Sequence, residues 1–211
     1  MMDDEEWNMV KKYPKTLAIA KMRTKETAAA DVLNFGFTAG GGGKAVFTGG
    51  DSQPLFSTNH VSRNGRVTQS NMITTPLSQQ TLQTVVTTMK KRRDSKNELV
   101  GFMPDTLIVP TELEFTARII LETMHETGSD RNDVNPIKGA LNLVVWPYLS
   151  SPTAWFVQDS MNHELNFFNR KDTGVVGPYY DFDTGTAKWK VECRFSVGFS
   201  DWMGIYGSTG V

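Results

Sequence analysis

Asp51, Ser57 and His60, in the stretch GGDSQPLFSTNHVSRNGRV, are the three side-chain types of a serine hydrolase. That chemistry needs more than the types: the serine must sit on a sharp strand-to-helix turn, beside an oriented base and an oxyanion hole. Nothing in the stretch sets up such an elbow, and small polar residues of this kind ordinarily cap turns or meet solvent. It reads as a surface loop, with a serine hydrolase as a competing reading that labelling of Ser57 by a serine-reactive probe would revive. Gly40 to Lys44 invites a phosphate-loop reading. That motif needs a glycine five residues before the Gly-Lys pair and Ser or Thr after it, where Thr38 and Ala45 stand. Asp130-Arg131-Asn132-Asp133 looks like the start of a calcium loop, yet Asn135 occupies the place of its glycine and Leu141 that of its bidentate glutamate. His60, His125 and His163 show no ligand-type spacing, and Cys193 falls on the apolar face of a strand as a small hydrophobe. No catalytic residue, cofactor or metal is expected.

Composition narrows the classes further. The 211 residues carry 22 Lys and Arg against 23 Asp and Glu. Such a balance gives no general attraction to nucleic acid or an anionic membrane, so any polyanion contact must be local. One cysteine excludes an intramolecular disulfide framework and suits a reducing compartment. The acidic start MMDDEEWNMVKKYPK has no apolar segment of the secretory type, and no run approaches a membrane span. A soluble chain, made in the cytoplasm and able to bury a core without staples, is expected.

The elements that would position these residues follow from periodicity. After Pro14, Ala18, Met22, Ala29 and Leu33 form one stripe of a long helix over 15–35, with Pro14 in its first turn and Gly36 as a left-handed cap. Residues 38–76 are loops and hairpins. Ser78 caps a second helix whose buried face is Leu82, Val85, Val86 and Met89, with Leu77 as a hydrophobic staple. It ends in Lys90-Lys91-Arg92-Arg93, four cations at the negative end of the macrodipole. Thr106 to Val109 is a buried strand stopped by Pro110. Thr111 to Glu114 matches a capping box for a third helix burying Leu113, Ala117, Ile120, Leu121 and Met124. Strands follow at 141–146, 153–158 and 165–168. The clearest is 187–199, where Trp189, Val191, Cys193, Phe195, Val197 and Phe199 alternate with polar or small residues.

The order of segments along the chain resembles the major capsid (head) proteins of tailed bacteriophages, particularly a Mu-like head-subunit branch. The pieces are RTKETAAADVLNFGF, PLFSTNH, LSQQTLQTVVTTM, PDTLIVPTELEFTARIIL, NDVNPIKGALNLVVWPYL, AWFVQDSMNHELNFFNR and RFSVGFSDWMGIYGSTG. Each is ordinary alone; their order carries the resemblance over nearly the whole chain. It implies an α+β class and the tailed-phage major capsid fold, with a long spine helix at 15–35. Residues 1–40 and 161–202, strand 187–199 among them, would form a peripheral β-sheet domain; residues 41–160 and 203–211 would form an axial domain. The family's N-terminal arm and extended loop would precede the spine helix, where this sequence has only about a dozen residues; the expectation is that both were removed by processing, lie outside this sequence or were lost.

The resemblance further implies self-assembly into pentamers and hexamers of an icosahedral head, within the virion and built in the host cytoplasm. Double-stranded DNA would be the contents; scaffold, portal and cement proteins would be partners, with no membrane. A cargo-enclosing compartment shell of the same fold is the alternative. On this reading the polar loops 128–139 and 200–210 supply subunit contacts, through Asp130, Asn132, Asn135, Trp202 and Tyr206, because aromatic anchors favour interface hot spots. Lys90, Lys91, Arg92 and Arg93 would face DNA with weak, salt-sensitive affinity.

Overall fold

Thr106–Val109 is apolar in succession, as a strand covered on both faces must be, and all four of its residues are buried. A computed structural model of the chain places this strand beside the centre of a five-stranded sheet; the structure describes residues 9–38, 48–61, 67–125 and 133–211. Among these residues the strands in chain order are β1 (His60–Val61), β2 (Thr68–Gln69), β3 (Met72–Ile73), β4 (Thr106–Val109), β5 (Asn142–Val145), β6 (Trp155–Gln158), β7 (Leu165–Asp172), β8 (Val176–Tyr180), β9 (Ala187–Lys190), β10 (Cys193–Phe199) and β11 (Ile205–Ser208). The helices are α1 (Met9–Asn34), α2 (Gln79–Lys90) and α3 (Glu114–Glu122).

The chain divides into two units. The larger, residues 30–166 and 199–211, is built on the sheet β3-β11-β6-β4-β5. In it β6 runs antiparallel to both β11 and β4, whereas the outer pairs β11/β3 and β4/β5 are parallel. Leu107, Val109, Trp155, Val157 and Tyr206 pack with Leu82, Val85 and Met89 of α2 and Ala117, Ile120 and Leu121 of α3. On the alternate positions Phe156 meets Phe37 and Phe56, with ring centroids 5.8 and 5.2 Å away. Phe56 is fully buried and leaves no room beside it: a Cβ on Gly207 would lie 2.7 Å from its ring, and one on Gly36 2.8 Å. Gly36 is therefore required by the approach of a ring, and not as the left-handed cap expected, since its φ is not positive.

Ser78 caps α2 as its sequence suggests: its hydroxyl accepts from the Thr81 N–H at 3.2 Å while the Thr81 hydroxyl accepts from the Ser78 N–H at 3.0 Å. Leu77 and Leu82 both join the core. The capping box expected at Thr111 does not form. Pro110 leads into a single 3-10 turn over Thr111–Leu113, and α3 starts at Glu114 with no side-chain cap. The glutamate instead accepts from Arg118, which also reaches Glu122, giving an exposed ion-pair ladder. Because α3 stops at Glu122, Met124 lies beyond it and is two-thirds exposed rather than buried.

The smaller unit, residues 1–29 and 167–198, contains the first part of α1 and two two-stranded ladders, β10-β7 and β8-β9. α1 begins before Pro14, which sits inside it and forfeits one backbone bond there. Met22, expected on the buried stripe, is exposed. The inward side of this stretch is ionic: Lys21 and Lys25 each meet an Asp172 oxygen at 2.5 Å. The two lysines hold the Asp172 carboxyl well below the usual carboxylate range.

The segment 187–199 alternates in exposure as its sequence dictates, yet it is two strands, not one. At the break, Glu192 exchanges hydrogen bonds with Thr173: the Thr173 N–H and hydroxyl donate to the Glu192 carbonyl, and the Glu192 N–H donates to the hydroxyl. β9 then pairs with β8, and β10 with β7. Period two is preserved across a change of partner, so the sequence pattern hides it. None of these positions is fully buried; the apolar face is half-buried at most.

Candidate functional site

In the larger unit Asp51, Ser57 and His60 do lie near one another, but they meet structural partners and form no triad. His60 is buried to 1% exposure, its Nδ1 2.6 Å from Asp51 Oδ2 and its Nε2 3.1 Å from Asn71 Oδ1. Asn71, fully buried, is itself fixed: its amide nitrogen donates to the Leu55 carbonyl at 2.7 Å and its oxygen accepts the Ser57 N–H at 2.9 Å. The Ser57 hydroxyl points elsewhere, donating to Gln53 Oε1 and accepting the Asn59 N–H. The base position facing a nucleophile is thus filled by Asn71, and Ser57 has no activating partner. A hydrogen-bonded brace that ties the loop 51–60 to β3's approach is what these residues build.

Above this brace lies an open groove of about 1050 Å³, lined by Asp51, Val61, Gln69, Arg93, Phe199 and Trp202 among others. Trp202 is half-buried and stacks on His60, with centroids 4.1 Å apart and planes 7° from parallel. The Arg92 guanidinium lies 4.9 Å from the same indole and 5.7 Å from the Tyr206 ring. Such cation-to-ring contacts strengthen as water is excluded.

Arg92 is the largest departure from the sequence reading. Expected to face DNA, it is buried to 3% exposure at the end of α2 and donates to the carbonyls of Met203, Ile205 and Ser70. Burial lowers its pKa to about 10, with Tyr206 and Asp201 acting in the opposite direction, so it remains a cation at neutral pH. α2 ends at Lys90 with Lys91 as its C-cap, so Arg92 lies past the helix, and its burial follows from the carbonyls it meets and not from the helical period. Lys90, Lys91 and Arg93 are exposed, Arg93 on the groove with its guanidinium donating to the Asn97 carbonyl.

Two of the expected contact residues are also interior. Tyr206 belongs to the core, where burial raises its phenol pKa. Asn135 is buried, donating to the Ile120 and Thr123 carbonyls and so closing the C-terminal end of α3. Asp130 and Asn132 lie outside the described residues, as do the glycine-rich tract 40–44 and the start of the calcium-like segment. Of the three that are described, Trp202 alone keeps an accessible edge. Sequence reasoning missed Asn71, whose only signal was its position among loop polar residues, and the exposed aromatics of 179–182.

The arrangement is one of braces and an open groove, with no nucleophile beside a base, and the family comparison agrees. The phage capsid protein family matches residues 1–208, and the chain belongs to that family. Its backbone is similar to that of the Bacteriophage JBD30 capsid, with a TM-score of 0.52, 10% identity and 71% of each chain covered; at that identity the likeness speaks for the fold. Among curated proteins none matches. The chain is therefore a structural protein of the virion, a capsid subunit with the α+β capsid fold, and not an enzyme.

Proposed function

We propose that copies of this chain join as pentamers and hexamers into an icosahedral head around double-stranded DNA. The observation that carries this is the family match across residues 1–208, which embraces both units. On this reading the smaller unit is the peripheral domain and the larger the axial domain, with the units bounded at residues 29, 166 and 198. Rings close through heterologous contacts repeated by rotation, so each subunit presents two different surfaces to its neighbours.

The groove edge at Trp202 is one such surface, because a half-exposed indole over a buried, rigid brace is pre-organised for a partner. Lys90, Lys91 and Arg93 are the cations left for DNA, enough for weak, salt-dependent and sequence-independent contact. Scaffold, portal and cement proteins would meet the assembled shell. Negative-stain microscopy of the purified chain tests the reading: rings or closed shells are expected, and a chain that stays monomeric under all conditions overturns it. Nucleic acid inside the particles distinguishes a phage head from a compartment shell.

A further inference from the structure

Among the described residues, the smaller unit fully buries no hydrophobic side chain. Every fully buried hydrophobic residue among those described lies in the larger unit, the first of them being Ala30. An assembly of about sixty residues without a core does not order itself by apolar burial. What the smaller unit has instead are ion pairs, Lys21 and Lys25 with Asp172 on the inward side of α1 and Lys171 and Lys190 with Glu192 at the surface, and one stacked pair, Phe167 on Phe195 at 5.5 Å.

The hairpin β8-β9 is the extreme case. All five residues of β8 are exposed, so both faces of that strand are open, and a two-stranded ladder alone is marginal in water. Its aromatic residues are not turned inward: Tyr179 is 56% exposed, Tyr180 66% and Phe182, in the connecting turn, 101%. Adjacent strand residues face opposite ways, so Tyr179 and Tyr180 place a ring on each side. The fold nevertheless holds this shape precisely enough to need glycine. Gly177 has φ +132°, and a Cβ there would lie 2.7 Å from the Lys188 carbonyl oxygen and 3.0 Å from the Trp189 ring.

We propose that the hairpin 176–190 is an inter-subunit arm, whose aromatic tip is covered by the apolar surface of a second copy of this chain. The proposal rests on the shell-building function above and names one of its contacts. Charge selects the partner. Residues 176–190 hold two aspartates, Asp181 and Asp183, and two lysines, Lys188 and Lys190, for a net charge of zero. Lys188 is bonded to Asp181 and Lys190 to Glu192, so both lysines of the hairpin are paired within the unit, and the exposed rings of Tyr179 and Phe182 are the apolar groups its tip presents. A neutral aromatic tip has no purchase on a phosphate backbone, which is held by uncompensated cations. It does fit another protein surface, where Tyr and Phe are enriched and charge is depleted.

A second copy also has what the hairpin needs. The outer side of α3 carries Phe115 at 75% exposure and Ile119 at 50%, one turn apart, flanked by the Glu114–Arg118–Glu122 ladder that keeps the helix charge-satisfied without covering them. A projecting tip and a receiving apolar face on one chain are the two halves of a heterologous contact.

The test compares wild-type protein with Tyr180→Ser/Phe182→Ser, sedimented under assembly conditions, with circular dichroism on the unassembled subunits. Both side chains are exposed, so the variant is expected to keep the wild-type spectrum and melting midpoint while its critical concentration for assembly rises about ten-fold or more. A folded variant that assembles at the wild-type concentration overturns the inference and leaves the shell function standing. Wild-type protein that never assembles overturns both. Hydrogen exchange on the wild type gives the same answer without a substitution. Amides of 176–190 are expected to slow about ten-fold or more on assembly, the same factor as the contact free energy. Unchanged exchange there in assembled particles contradicts the inference.

Discussion

The larger unit buries Trp155, Phe56, Phe156 and Leu107 completely, and its interior Asn71 and Arg92 are held by hydrogen bonds to backbone carbonyls. The smaller unit spends its charged residues on ion pairs and keeps its aromatics outside. The two also differ in composition: Asp, Glu, Lys and Arg supply 20 of the 61 residues of the smaller unit and 25 of the 150 of the larger. The larger unit has an apolar core; on the proposal above, the smaller is shaped for contacts that a neighbouring copy supplies, which is where a capsid subunit has reason to leave apolar surface open.

The comparison is broken most severely by removing the ring that the larger unit is built around. Phe56→Ala is expected to destabilise that unit by about 3–5 kcal/mol, from lost burial plus the cavity between Gly36 and Gly207, as read from the denaturant midpoint. Asn71→Ala should cost somewhat less, about 1–3 kcal/mol, because the Leu55 carbonyl, the Ser57 N–H and His60 Nε2 lose their buried partner together. Neither substitution is expected to alter exchange rates in 167–198 of the folded subunit.

Gly177→Ala acts in the opposite unit. Its positive φ and the 2.7 Å approach to the Lys188 carbonyl predict a cost of about 1–3 kcal/mol that is confined to the hairpin. Amide exchange across 176–190 should quicken while the denaturant midpoint of the larger unit stays in place. Such a split confirms that the units respond separately; a shift of the whole transition contradicts it.

The smallest effect comes from acid. Lys171 and Lys190 lower the Glu192 pKa to about 2, and Lys21 and Lys25 lower that of Asp172. A carboxyl whose folded pKa is depressed contributes stability above its ordinary value and loses it as pH falls toward the folded one. Between about pH 4 and pH 2 the smaller unit should therefore loosen. Since the pairs are exposed, salt should weaken the effect as well. Side-chain carboxyl shifts in NMR, followed against pH, measure it.

Much of this division was legible in the sequence and some of it was not, for identifiable reasons. Apolar runs and the Ser78 cap located α2, β4 and β6, because full burial on both sides leaves no freedom of pattern. The alternation of 187–199 was equally clear and still misled, since a break that conserves the period at Val191-Glu192 changes the partner strand without changing which side is apolar. β8 and β11 went unseen: the first has glycine and proline where strands rarely do, and the second, Ile-Tyr-Gly-Ser, ends in glycine and serine that read as turn residues. Arg92 lies past the end of α2, so no periodicity marks it, and a run of four cations reads as surface whichever one points inward. The stretch around His60 was read as a surface loop, yet His60 is buried and held by Asp51 and Asn71; that pairing depends on long-range packing, which no local motif encodes.

A cryo-electron microscopy reconstruction of assembled particles tests the account at its centre, through the surroundings of Phe182. The account predicts that the ring, fully exposed in the single chain, is packed against a neighbouring copy at every position in the lattice. A hairpin that stands in solvent throughout a closed shell would contradict it.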